Sequence, residues 1–223
     1  MNREHERRDG RVRALALGAV AAAAATGFGF LAAAVARRET AEADEEVREH
    51  TAAPRGHPAR EAAEAISPIG KWWTYIPAAL GAGACVLAAP GGWEPGARRS
   101  RGAGAGAVLL AGTVATALNP AFDRWLPQPP APPGHESRRK PVFPSGHAFG
   151  PGAVALSTAY VLSREGIAHP AVAMPVAMTV PLVTAGGRML VEKHWASDVL
   201  GGYLGGVALA AACLAAYEAT RVE

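Results

Sequence analysis

The chain has 223 residues, half of them hydrophobic, with 18% charged and a net charge of +3. So little charge excludes a disordered polyelectrolyte, two cysteines exclude a disulfide scaffold or a cysteine-rich zinc domain, and a small, scattered positive excess excludes nucleic acid as a partner. Mean hydropathy is only +0.09, yet the apolar residues, dominated by alanine and the 26 glycines, are gathered into runs.

Residues 1–13 form a basic tail carrying Arg3, Arg7, Arg8, Arg11 and Arg13. Residues 14–36 then run without a charge up to Arg37 and Arg38, long enough for a membrane helix, which needs about 20 apolar residues. A signal peptide is the rival reading; the length of the run and the further runs behind it favour a span. Residues 37–71 are polar, with an acidic run at Glu42, Asp44, Glu45, Glu46 and Glu49 that reads as a solvated loop. Residues 59–66 predict a short surface helix ahead of Pro68.

The second apolar run, 72–93, has Trp72, Trp73 and Tyr75 at one edge and Trp93 at the other, a placement suited to membrane interfaces. Four more follow at 102–118, 148–162, 167–187 and 199–217. Between them, residues 119–143 are proline-rich (Gln128-Pro129-Pro130-Ala131-Pro132-Pro133) and predict an extended loop. The expected architecture is therefore an all-α bundle of six transmembrane helices, one integral membrane domain over residues 14–223. Five arginines precede the first run and two follow it, which places the termini in the cytoplasm of a multi-pass plasma-membrane protein. The sequence carries no signal for oligomeric state, and its one expected set of partners is membrane lipids.

Two segments carry chemistry. Pro144-Ser145-Gly146-His147 stands directly before an apolar run, and Arg188, His194 and Asp198 stand between the last two. In a six-helix topology both emerge at the same, outer, face. Ser145, Gly146 and His147 would open a helix, where free N–H groups favour an anion, and Arg188 is a forked donor for phosphate oxygens. His194 and Asp198 are four apart, so on a helix they share a face. The carboxylate would orient the imidazole for attack, with His147 placed to protonate a leaving oxygen. This is a phosphoryl-transfer set needing no metal and no cofactor. A metal site is the rival use of two histidines and an aspartate; Arg188 would repel the cation. Cys85 and Cys213 lie in apolar runs and read as packing residues. Gly201, Gly202, Gly205 and Gly206 form two Gly-x3-Gly pairs that let a neighbouring helix approach closely.

The two segments resemble the second and third motifs of the type 2 phosphatidic acid phosphatase superfamily, which spans bacterial lipid phosphatases, undecaprenyl-diphosphate phosphatases and soluble vanadium haloperoxidases. Pro144 to His147 matches the second motif in full. The third, Ser-Arg-x5-His-x3-Asp, matches at Arg188, His194 and Asp198, with Gly187 in the serine's place. The resemblance implies that His194 is the nucleophile forming a phosphohistidine, Asp198 orients it, His147 is the general acid, and Arg188, Ser145 and the Gly146 N–H bind phosphate. The first motif, Lys-x6-Arg-Pro, is degenerate. Alignment on Leu118 puts Asn119 at the lysine and Leu126-Pro127 at Arg-Pro; the other alignment puts Lys140-Pro141 at Arg-Pro and Pro133 at the lysine. Arg139 and Lys140 are the candidate replacement cations. The expected substrate is a lipid phosphate or diphosphate, a polyprenyl (undecaprenyl) diphosphate first, with phosphatidic acid or phosphatidylglycerophosphate next. A non-catalytic lipid-phosphate binding or transport protein is the reading from another class.

Overall fold

The computed structural model describes residues 3–90, 95–137 and 139–221, and every regular element among them is helical. In chain order these are α1 (Arg3–Ala36), α2 (Ala41–Thr51), α3 (Pro58–Ile66), a 3₁₀ turn (Ser67–Gly70), α4 (Trp72–Ala88), α5 (Pro95–Trp125), α6 (Gly146–Arg164), α7 (Pro170–Leu190) and α8 (Ala196–Thr220). Each apolar run of the sequence falls on one of the long helices α1 and α4 to α8. Trp93, the expected far edge of the second run, lies outside the described residues. Four helices, α1, α5, α7 and α8, are long and apolar enough to cross a membrane, and α4 is a shorter apolar helix.

α6 is the axis of the bundle, packed against α4, α5, α7 and α8. Every residue from Ala148 to Val154 is buried, so this stretch presents no face to lipid and needs no bulky apolar side chains. Its small residues instead let four neighbours approach. A Cβ on Gly150 would fall 2.5 Å from the Tyr75 ring of α4. The expected glycine seam on α8 faces α6: a Cβ on Gly202 would lie 2.3 Å from the Ser145 carbonyl oxygen, and one on Gly206 2.8 Å from that of Phe149. α1 leans on the outer side of α8, where Phe28 lies 5.9 Å from the Phe143 ring and 5.7 Å from that of Phe122.

Both polar segments differ from expectation. The acidic run is not a solvated loop but helix α2, and Asp44 is buried at 7% exposure. Its two carboxylate oxygens accept from the Ser197 N–H (2.8 Å) and hydroxyl (2.7 Å) at the start of α8. One of the backbone N–H donors that the first turn of α8 leaves open is thus met from a distant segment. The expected surface helix exists as α3, but Ala63 is buried beneath α7, 3.3 Å from where a Gly187 Cβ would stand. The proline-rich loop starts later than expected, because α5 continues through Pro120 to Trp125. The rest of that loop is held by Gln128, whose side chain accepts from the Val142 and Phe143 N–H groups (2.9 Å each) and donates to the Phe143 carbonyl (2.7 Å).

The opposite end of the bundle is closed by charge. Glu218 on α8 is fully buried and accepts from Arg164 (2.6 Å) and Tyr160 (2.9 Å) of α6. Glu165 accepts from Ser100 of α5 (2.6 Å), Arg221 (2.5 Å) and Tyr217.

Candidate active site

The two motifs meet. The Ser145 N–H donates to the Asp198 carbonyl at 2.9 Å, which ties the start of α6 to the first turn of α8. Ser145 is the N-cap of α6, and Gly146 and His147 form its first turn, so free N–H groups and the positive end of the helix dipole lie where the sequence places them. Thr184 of α7 holds this turn, its hydroxyl 3.1 Å from the His147 carbonyl.

His194 departs from the expected geometry. It is not on a helix with Asp198 but in the α7–α8 loop, one residue before the N-cap Trp195. Asp198 still reaches it, because a side chain at the third helical position folds back towards the cap. Its Oδ2 accepts from the Trp195 N–H at 2.8 Å and lies 3.4 Å from His194 Nδ1. That is longer than a strong hydrogen bond, as catalytic contacts often are before substrate binds. The Trp195 indole donates to the Pro130 carbonyl (2.8 Å), which anchors the loop from the other side.

The His147 and His194 rings stand near each other, centroids 6.1 Å apart and planes tilted by 60°. Around them Ser145 Oγ, Arg188 Nε, His194 Nδ1 and Asp198 Oδ1 are all buried without a hydrogen-bond partner. Unpaired buried polar atoms cost about 1–3 kcal/mol each, and four gathered on two motifs mark a site built for a polar ligand. His147 sits at the head of α6, ahead of the apolar stretch. Burial, then the charges of Arg188, His194 and Lys71, push its imidazole down to about 3, with a hydrogen bond to the Ser67 backbone acting the other way. It is therefore uncharged at neutral pH.

Three of these neighbours went unnoticed in the sequence. Ser67, buried in the 3₁₀ turn, accepts from Arg188 Nη1 at 3.0 Å and lies 3.3 Å from His147 Nε2. Lys71 opens α4, its Nζ 4.7 Å from the Trp73 ring centroid. Asp44 clamps α8. None belongs to a motif; the turn-forming Pro68 and Gly70 are the only local signal. Asn119, which the first alignment puts at the motif-one lysine, does reach the site: its Oδ1 lies 3.3 Å from where a Gly146 Cβ would stand. Asp123, one turn on, is within electrostatic reach of His194.

Arg139 and Lys140 are exposed on the loop and make no hydrogen bond to the motif residues. Lys140 donates to Glu136 at 2.9 Å, which holds that carboxyl below its usual range. Glu136 also lies 3.7 Å from Lys193. Among the described residues no group of three His, Cys, Asp or Glu stands together as a metal site.

A multi-pass helical bundle with two helix starts meeting around unpartnered buried polar atoms defines the class of protein. The sequence pattern of the PAP2 superfamily matches residues 104–221, more than half of the chain, and the chain belongs to that superfamily. The crystal structure of the first transmembrane PAP2-type phosphatidylglycerolphosphate phosphatase, from Bacillus subtilis, shares its fold: TM-score 0.69 at 24% identity, over 85% of this chain and 92% of that one. No curated protein matches the chain.

Proposed function

We propose that this PAP2 membrane protein is a phosphatase that hydrolyses a lipid phosphate or diphosphate through a phosphohistidine. The observation that carries the reading is the meeting of two imidazoles, one backed by Asp198, with Arg188 and the first turn of α6. Binding alone needs no oriented nucleophile, so the arrangement favours an enzyme over a lipid-phosphate carrier.

In the mechanism, the phosphoryl oxygens lie against the Ser145 hydroxyl, the Gly146 N–H and the Arg188 fork. His194 has Nδ1 turned to Asp198, so Nε2 attacks phosphorus. The bond from phosphorus to the leaving oxygen breaks, and His147, which has taken up a proton with the bound substrate anion, gives that oxygen a proton. Water then attacks the phosphohistidine, its proton passes to His147, the P–N bond breaks and phosphate leaves. Fixed donors that strengthen as charge develops in the transition state supply the acceleration, and no metal takes part. Arg139 and Lys140 complete the headgroup site, Lys140 by exchanging Glu136 for the phosphate. α1 and α4 to α8 form six spans with both termini in the cytoplasm and the site at the outer face.

A lipid substrate is supported by two apolar grooves beside the site. One, about 320 Å³, runs between α4, α6 and α7 past Tyr75, Val154 and Ala177. The other, about 420 Å³, lies along α7 past Pro175, Thr179 and Thr184. They share Ile69, Val176 and Val180, and Ile69 belongs to the turn against His147. A polyprenyl diphosphate such as undecaprenyl diphosphate has one tail. Two adjoining grooves favour the second reading, a two-chain phospholipid such as phosphatidic acid or phosphatidylglycerophosphate. A phosphate-release panel in detergent with these three lipids and a water-soluble phosphomonoester separates the readings. A preference for the diacyl lipids selects the second reading, a preference for undecaprenyl diphosphate the first, and equal use of the soluble ester removes the lipid from the proposal.

A further inference from the structure

The Ser67 hydroxyl stands between two motif side chains, 3.0 Å from Arg188 Nη1 and 3.3 Å from His147 Nε2. It is only 6% exposed. A guanidinium carries donors alone, so Ser67 Oγ must accept from Arg188. The hydroxyl hydrogen is then left for His147 Nε2. An imidazole nitrogen that accepts carries no hydrogen, so the neutral ring bears its own on Nδ1.

We propose that Ser67, supplied by a turn outside the residues that match the superfamily, is a positioning residue of the active site. It sets the tautomer and orientation of His147 and anchors one arm of Arg188, leaving Nε, buried and unpartnered, for a phosphate oxygen. The inference rests on the phosphatase reading for its catalytic consequence, but not for the tautomer itself.

The turn is built for this contact. Ser67 caps the end of α3 and opens the 3₁₀ turn. Gly70, three residues on, packs so tightly on the imidazole that a Cβ there would lie 2.3 Å from His147 Cδ2. Thr74 secures the turn from α4, its hydroxyl donating to the Pro68 carbonyl at 2.7 Å. The charged groups around the ring, Arg188 from α7, His194 from the α7–α8 loop and Lys71 at the head of α4, all oppose its protonation, while a hydrogen bond with the Ser67 backbone favours it. Glu64 of α3 and Glu136 of the proline-rich loop act on Arg188, and Asp123 of α5 acts on His194. The neutral ring with Nε2 as acceptor is therefore the resting state. When substrate brings the second proton, the hydroxyl rotates to accept from Nε2, and the Nδ1 hydrogen remains the one to give.

Nitrogen-15 labelling of histidine in the full-length protein in detergent reads the tautomer, with His147→Gln identifying the signal. At about pH 7 the wild type and Ser67→Thr are expected to show the Nδ1–H form and Ser67→Ala the Nε2–H form that a free imidazole side chain prefers. With phosphatidic acid in mixed micelles, Ser67→Ala is expected to lose roughly 100-fold in kcat, the scale of a misplaced catalytic group, with KM changed far less, and Ser67→Thr to restore kcat. An Nε2–H form in the wild type, which needs no variant to observe, overturns the proposal. So does a fall in kcat without a change of tautomer, which assigns Ser67 to structure alone. The expected tautomers in a protein that releases phosphate from no lipid would contradict the phosphatase reading and leave the placement of His147 standing.

Discussion

At the scale of single residues, His147 is the most sharply defined group. Its imidazole is pushed from the ordinary 6.5 down to about 3, first by burial and then by Arg188, His194 and Lys71. The neutral form is thus the folded form. Between about pH 6.5 and 3 the unfolded chain binds a proton that the folded chain refuses, so stability falls as pH falls through that window. An anion in the site offsets the charges of Arg188 and Lys71, so phosphate binding near pH 6 takes up a proton. Calorimetry in buffers of different ionisation enthalpy is expected to show that uptake; a binding heat independent of buffer would contradict it. Arg139 and Lys140 make a second prediction at this scale. Replacing both with alanine is expected to lower turnover, by up to about 3 kcal/mol for a lost transition-state cation. Unchanged turnover would remove them from the site and leave Lys71 and Arg188 as its cations.

At the scale of elements, the site is two helix starts held together from outside. α6 and α8 are joined by the bond from Ser145 to the Asp198 carbonyl, and α2 clamps the head of α8 through Asp44 and Ser197. Asp44→Ala leaves a buried N–H and hydroxyl without an acceptor. The expected cost is about 2 kcal/mol, read as a lower melting temperature in detergent, with kcat reduced because Asp198 rides on that first turn and His194 on the loop that leads into it. A variant with unchanged melting and turnover would show that α2 is an ornament to the bundle.

The same elements show what the sequence could and could not reveal. Long uncharged runs located all the long helices, because a helix that meets lipid or a close-packed neighbour must be apolar over its length. Pro-Ser-Gly-His announced the start of α6, and spacing alone paired His194 with Asp198. Spacing could not tell a helical face from a capped loop, and His194 proved to be in the loop. The contributions of α2 and the 3₁₀ turn were hidden for a different reason. Asp44 and Ser67 act through tertiary contacts 153 and 121 residues along the chain, and a polar segment with no periodicity gives no hint of which side chain turns inward.

At the scale of the whole molecule, the bundle has a chemical end and a sealed end. Glu218 and Glu165 join α5, α6 and α8 at the end away from the motifs. Removing one partner of a buried ion pair costs about 3–5 kcal/mol. Glu218→Ala, which strips Arg164 and Tyr160 of their acceptor, is expected to lower thermal stability by that amount while the folded fraction keeps its wild-type kcat. A loss of kcat without a loss of stability would mean that the two ends are coupled. The scarcity of charge in the composition takes on meaning at this scale, since the buried charges are gathered at the two ends of a tightly packed alanine and glycine bundle.

The central claim is that His194 carries the phosphoryl group. The most direct measurement is a rapid quench of the full-length protein in detergent with a phosphorus-32-labelled lipid phosphate and EDTA present. An acid-labile phosphoenzyme is expected, formed at least as fast as phosphate is released and absent, together with that release, in His194→Ala. Phosphate release that persists in His194→Ala, or that stops when EDTA is added to the wild type, would contradict it.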